Sequence, residues 1–202
     1  MKCLRIIGFR IRRNNGVIHR GGALQVGILS PFENPRLAML RTVFWCFVTM
    51  LAIGLAAAVT SRPFIFPSLG PTAIMLFANP LDRFSAPRNV LLGHFIGATS
   101  GYVGLAATGL LGVPLSPEVG THRVLAAAIA LALTAGLMLL LDAEHPPAGA
   151  TTLIVALGIL PKIEDFLFLM AAVFALTLLA FVVNRTNGIR VPVWRDSARG
   201  RT

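Results

Sequence analysis

Charged residues are scarce in this sequence. They make up 13% of its 202 residues, about half the share of a typical soluble domain. Acidic side chains are scarcer still, with 8 Asp and Glu against 18 Lys and Arg. Two cysteines are present, Cys3 and Cys46. They lie far apart, the second inside an apolar run, which excludes a disulfide framework. No apolar stretch precedes Cys3, and residues 1–30 lack the apolar core of a secretion signal, so neither a lipoprotein anchor nor a cleaved leader is expected. Asp142, Glu144 and His145 crowd together without the histidine spacing of a zinc helix, and no nucleophile–base pair is visible. Neither a metal, a cofactor nor an enzymatic activity is expected.

What is abundant is apolar: 55% of the residues are hydrophobic. Thr42–Thr60, Val124–Leu141 and Phe166–Val183 hold no Asp, Glu, Lys, Arg or His, and Val90–Val113 holds only His94. Runs of this length, at about 1.5 Å per helical residue, span a ~30 Å hydrocarbon core. Four such runs separated by charged connectors indicate an all-α, polytopic membrane bundle.

The net charge of +10 is concentrated at the ends. Lys2, Arg5, Arg10, Arg12, Arg13, Arg20, Arg36 and Arg41 precede the first run, and Arg185, Arg190, Arg195, Arg199 and Arg201 follow the last. Because these charges flank apolar spans, they read as topology signals and lipid-headgroup contacts, with no nucleic acid as partner. The positive-inside rule then puts both termini in the cytoplasm and makes the number of crossings even. The expected organisation is a basic cytoplasmic segment over 1–41, a transmembrane domain over 42–183 and a basic cytoplasmic tail over 184–202. Asn184-Arg185-Thr186 matches a glycosylation sequon, on the side where no glycan is added.

Two further apolar segments are short and broken: Pro63–Ala78 and Pro146–Leu160. At a constant offset Pro67 falls on Pro146, Gly70 on Gly149 and Thr72 on Thr151. The order is long span, short broken helix, long span, and then the same again, which reads as an internal repeat of a kind common in transporters. Proline is tolerated at a helix start, so Pro71 and Pro147 are expected to begin the helical parts. The short segments either dip in and return on one side, giving four crossings, or cross fully, giving six. Their limited helical length favours the re-entrant arrangement.

At a helix start, unpaired N–H groups and the positive dipole end favour anions, by roughly 0.3–1 kcal/mol per helix end. The backbone of Gly70 and Gly149 and the hydroxyls of Thr72 and Thr151 are therefore candidate substrate contacts. Arg88, at the start of the second long span, would draw the anion in, or would only snorkel to the headgroups. His94 inside that span and His145 are candidate proton-coupling groups, since histidine titrates near neutral pH. Gly93, Gly97 and Gly101 recur every fourth residue beside His94 and read as a helix-packing stripe.

His145-Pro146-Pro147-Ala148-Gly149-Ala150-Thr151-Thr152 resembles the signature of the HPP family of integral membrane proteins. Pro67-Ser68-Leu69-Gly70-Pro71-Thr72-Ala73 resembles a second motif of that family, and Pro87-Arg88-Asn89-Val90 with Gly93-His94-Phe95-Ile96-Gly97 a third. The three stand in family order and cover about Arg41 to Val183. Ala86 occupies the place before Pro-Arg-Asn where the family pattern has glutamine. The resemblance implies a small multi-pass protein of the bacterial inner membrane, and cyanobacterial and plastid relatives are associated with nitrite transport.

Together these features give the expectation of a transporter or channel for a small monovalent anion, nitrite first. The alternative is a membrane sensor or assembly module without transport. Expected partners are the small anionic solute and membrane lipids, and four long spans make a homo-oligomer plausible.

Overall fold

The structure, a computed structural model, describes residues 34–60, 65–116 and 119–193. Cys3, most of the basic N-terminal segment and the end of the tail lie outside the described residues. Among the described residues six α-helices form: α1 Pro35–Thr60, α2 Leu69–Ala78, α3 Pro87–Ala107, α4 Thr121–Leu140, α5 Ala148–Ala156 and α6 Ile163–Thr186, with a 3-10 turn at Arg83–Ser85. No strand occurs among the described residues. α1, α3, α4 and α6 are long and apolar enough to cross a membrane.

The boundaries follow local chemistry. α1 begins earlier than Thr42 and carries Arg36 and Arg41 in its first two turns. α3 stops at Ala107, short of Val113, because Gly109 and Gly112 turn the chain at φ of 71° and 77°, a region that costs glycine nothing. α2 starts two residues before Pro71, whose missing N–H falls in the first turn, where it has no helical partner to lose. α5 starts directly after Pro147.

Side-chain contacts fix the direction of each helix. Thr42 Oγ1 donates to Phe77 O, while Gly54, three turns further along α1, lies against Ile65, so α1 and α2 are antiparallel. The α3 glycines Gly93, Gly97 and Gly101 face His145, Ala148 and Val155 in turn, so α3 and α5 run parallel. Gly93 also faces Met138 and Gly104 faces Ala126, so α4 runs back along α3. Asn184, at the end of α6, donates to Leu76 O near the end of α2. Tyr102, late in α3, donates to Lys162 O, just before α6 begins.

These directions place Thr42, Phe77, Pro87, Leu141 and Asn184 at one end of the bundle, and Thr60, Ala107, Thr121 and Lys162 at the other. The chain therefore passes between the ends six times. The re-entrant expectation is corrected. Each short helix covers only half the passage, and irregular backbone ahead of it, before α2 in one case and before α5 in the other, completes it. The helices alone are too short to span, but the composite segments are not. The element lengths follow the expected order, and the two halves pack unequally: α3 lies closely on α4 and α5, whereas α6 touches α1 over little of its length.

This topology has a direct test. On a background lacking Cys3 and Cys46, a cysteine at Asp82 should be protected from an impermeant thiol reagent in intact cells, as should one near Asn187. A cysteine at Lys162 should be labelled. Equal labelling at Asp82 and Lys162 would restore the re-entrant arrangement.

Candidate functional site

The four short-helix and histidine positions singled out from the sequence meet in one place. Thr72 is the fourth residue of α2 and Thr151 the fourth of α5. Because α2 runs towards one end of the bundle and α5 towards the other, their first turns face each other across the middle. His94 of α3 fills the gap: its Nδ1 lies 2.7 Å from Thr151 Oγ1 and its Nε2 3.0 Å from Thr72 Oγ1. His145 Nε2 approaches the same Thr72 hydroxyl at 3.2 Å, and its Nδ1 donates to Phe84 O at 2.7 Å. The two rings stand 5.0 Å apart. All four side chains are completely buried.

The glycine stripe holds His94 there. A Cβ at Gly97 would come within 2.6 Å of Ala148 O, and one at Gly101 within 2.6 Å of Val155 Cβ. Only glycine lets α3 and α5 approach this closely, and the approach brings the His94 ring against Thr151. Next to the cluster Thr152 and Thr134 share a hydrogen bond of 2.8 Å, each also donor or neighbour to its own helix backbone.

The remaining sequence candidates take other positions. Gly70 and Gly149 are the second residues of α2 and α5; a Cβ at Gly70 would meet nothing within 4 Å, and one at Gly149 only Leu131 at 3.8 Å. Both therefore border open space. The Gly149 N–H donates to Pro146 O at 3.0 Å and the Ala150 N–H to Pro147 O at 3.1 Å, so those donors are engaged in this conformation. Arg88 lies outside the cluster: it donates to Asp142 O at 2.9 Å and to Leu141 O at 3.1 Å, closing the carbonyl end of α4. Its positive charge there complements the negative end of the α4 dipole.

Sequence reasoning missed Arg83, which pairs with both Glu144 and Asp142 and ties the turn before His145 to the turn before α3. It also missed Thr134, although a single threonine in the apolar run of α4 was a visible signal. The sequon residue Asn184 is buried and bonded to Leu76 O, so it ties α6 to α2. No group of three or more potential metal ligands clusters among the described residues.

Residues 32–192 match the transmembrane region of the HPP family. The chain belongs to that family. Two transmembrane proteins of Dictyostelium discoideum are similar to it. One is 32% identical over 121 residues, covering 58% of this chain, and the other 31% identical over 125 residues, covering 60%. The matched regions are 40% and 38% of those relatives' own length. No solved structure matches. The HPP motif of this chain thus carries His145 and the first turn of α5, and the other two motifs carry Thr72 and His94.

Proposed function

We propose that this HPP-family protein is a transporter for a small monovalent anion, with nitrite the leading candidate. The observation that carries the reading is the meeting of two half-length helices, first turn to first turn, at a buried polar cluster in the middle of a six-pass bundle. Both positive dipole ends converge there, and in a low-dielectric setting each contributes up to about 2 kcal/mol towards an anion. Discontinuous helices whose starts face a central site are a recurring transport device. With the first-turn N–H groups of α5 and the hydroxyls of Thr72 and Thr151 engaged, the two dipole ends supply the attraction. Open space beside Gly70 and Gly149 supplies room for the ion.

Nitrite rests on the motif resemblance, and the size class rests on the confined setting. On this reading both termini lie in the cytoplasm of a plasma membrane, which the basic ends support by the positive-inside rule. The exposed apolar side chains of α1, including Phe44, Phe47, Leu51 and Leu55, face lipid or a second copy of the chain.

The test is nitrite flux into liposomes holding the purified full-length protein, with protein-free vesicles correcting for leak of nitrous acid. Saturable uptake, competed by other small monovalent anions, is expected. Folded protein that moves none of them would overturn transport and leave the sensor or assembly role.

A further inference from the structure

The cluster at the meeting of α2 and α5 can be audited hydrogen by hydrogen. Phe84 O can only accept, so His145 Nδ1 must carry a hydrogen, and a neutral His145 has a bare Nε2. That bare nitrogen faces Thr72 Oγ1. The Thr72 hydroxyl also lies 2.8 Å from Ser68 O, a second pure acceptor. A hydroxyl has one hydrogen to give and two lone pairs. His94 cannot relieve the shortage. With Thr151 donating to its Nδ1, its single hydrogen sits on Nε2 and points at Thr72 Oγ1. In the reverse tautomer Nε2 is bare and becomes a third claimant on the same Thr72 hydrogen.

Five contacts therefore share four hydrogens when both histidines are neutral. One added hydrogen, on His145 Nε2, completes the set. Thr72 Oγ1 then accepts from His94 and from His145 and donates to Ser68 O, using its full capacity. A second added hydrogen, on His94 Nδ1, would force the Thr151 hydroxyl from donor to acceptor and put a second positive ring 5.0 Å from the first.

We infer that this cluster is a binding site for one proton, taken up at His145 Nε2 and shared with Thr72, and that the protonated cluster is the form that accepts the anion. The link to the anion rests on the proposed transport role; the proton site does not. A buried imidazolium is costly without a counter-charge. Among the described residues no carboxylate touches the cluster: Glu144 and Asp142, in the turn before His145, pair with Arg83 of the 3-10 turn. Arg88 of α3 faces the carbonyls of Leu141 and Asp142. α2 and α5 contain no ionisable residue, the stretch of α4 from Val124 to Leu140 contains none, and α6 brings only Arg185 to this end. The missing counter-charge is supplied by the anion at the two helix starts. Proton and anion then favour each other reciprocally, and they travel together as an electroneutral pair, the proton drawn from one aqueous side and released to the other.

Ring-15N-histidine spectra of the full-length protein in lipid bilayers read this directly. At pH 7.5 without anion, His145 should be the Nδ1–H tautomer and His94 the Nε2–H tautomer. Acidification should convert His145 alone to imidazolium before His94 responds, and nitrite should bring that conversion to higher pH. An Nε2–H tautomer at His145, or joint protonation of both rings, would overturn the proton site. Single protonation of His145 without any flux would keep the proton site and discard transport. Normal flux with His145 neutral throughout, and no proton movement reported by a pH dye, would discard the coupling. Thr72→Val should raise the half-saturation concentration for nitrite by about tenfold or more, the scale of a lost hydrogen bond to a charged group, and should flatten the pH profile. Thr72→Ser should restore both; failure of serine to do so would assign Thr72 a packing role only.

Discussion

Gly97→Leu should yield protein that inserts but does not hold its fold. Even the first carbon of the new side chain would stand 2.6 Å from Ala148 O and 2.9 Å from Thr152 Oγ1. The oxygen of Ala148 belongs to the first turn of α5 and cannot swing aside as a side-chain tip would. α3 and α5 must separate, which breaks the His94–Thr151 hydrogen bond and uncovers Thr152. Overpacking of a tight core costs typically 1–3 kcal/mol, and Gly97→Leu, meeting backbone, belongs at or beyond the upper end. Gly97→Ala should cost less and lower the melting temperature in detergent by about 2–4 °C per kcal/mol. Gly136→Leu is the matched control, since a Cβ there meets nothing within 4 Å. Equal melting temperatures and monodisperse elution for Gly97→Leu and Gly136→Leu would show that the α3–α5 approach is not needed.

The opposite result is expected at the two glycines that begin the half-helices. Gly70→Leu and Gly149→Leu should leave folding and melting temperature nearly unchanged, because the space beside them is open. The same leucines would stand in the first turns of the two half-helices, whose dipoles converge. Nitrite flux should fall at least tenfold in each, a loss of about 1.4 kcal/mol or more in transport free energy. Flux at the wild-type rate in both variants would remove that space from the path, and the anion would have to pass elsewhere. The two glycine classes thus separate packing from passage within one short stretch of the molecule.

Much of this was readable in the residues. The long apolar runs gave the four long helices because a bilayer leaves few other structures for about eighteen consecutive residues without Asp, Glu, Lys or Arg. The aligned Pro, Gly and Thr pointed to Thr72 and Thr151, and an ionisable side chain in a span pointed to His94. What sequence patterns could not supply was direction. Helix length is silent on whether irregular chain before α2 and before α5 completes a crossing, and length alone favoured the wrong topology. Arg88 is the second instance. An arginine at a helix start is as well suited to capping the neighbouring α4 as to guarding a mouth, and only the positions of Leu141 and Asp142 distinguish the two. The shared Thr72 hydroxyl was out of reach as well, since it depends on Phe84 and Ser68 carbonyls that no side-chain pattern encodes.

The half-length of α2 also bears on how the protein is made. Ten apolar residues are too few to be held in a bilayer by their own partitioning, so α2 cannot settle when it leaves the ribosome. α5 finds a finished cradle, because the glycine face of α3 is already in place before it is synthesised. α2 finds only part of its surroundings in α1, where Thr42 donates to Phe77 O: the Asn184 side chain that secures Leu76 O lies near the end of α6, more than a hundred residues later. The first half of the molecule is therefore completed by its last helix. Until α6 arrives, the nascent chain carries an incompletely covered break at the membrane, the segment most exposed to quality control during assembly.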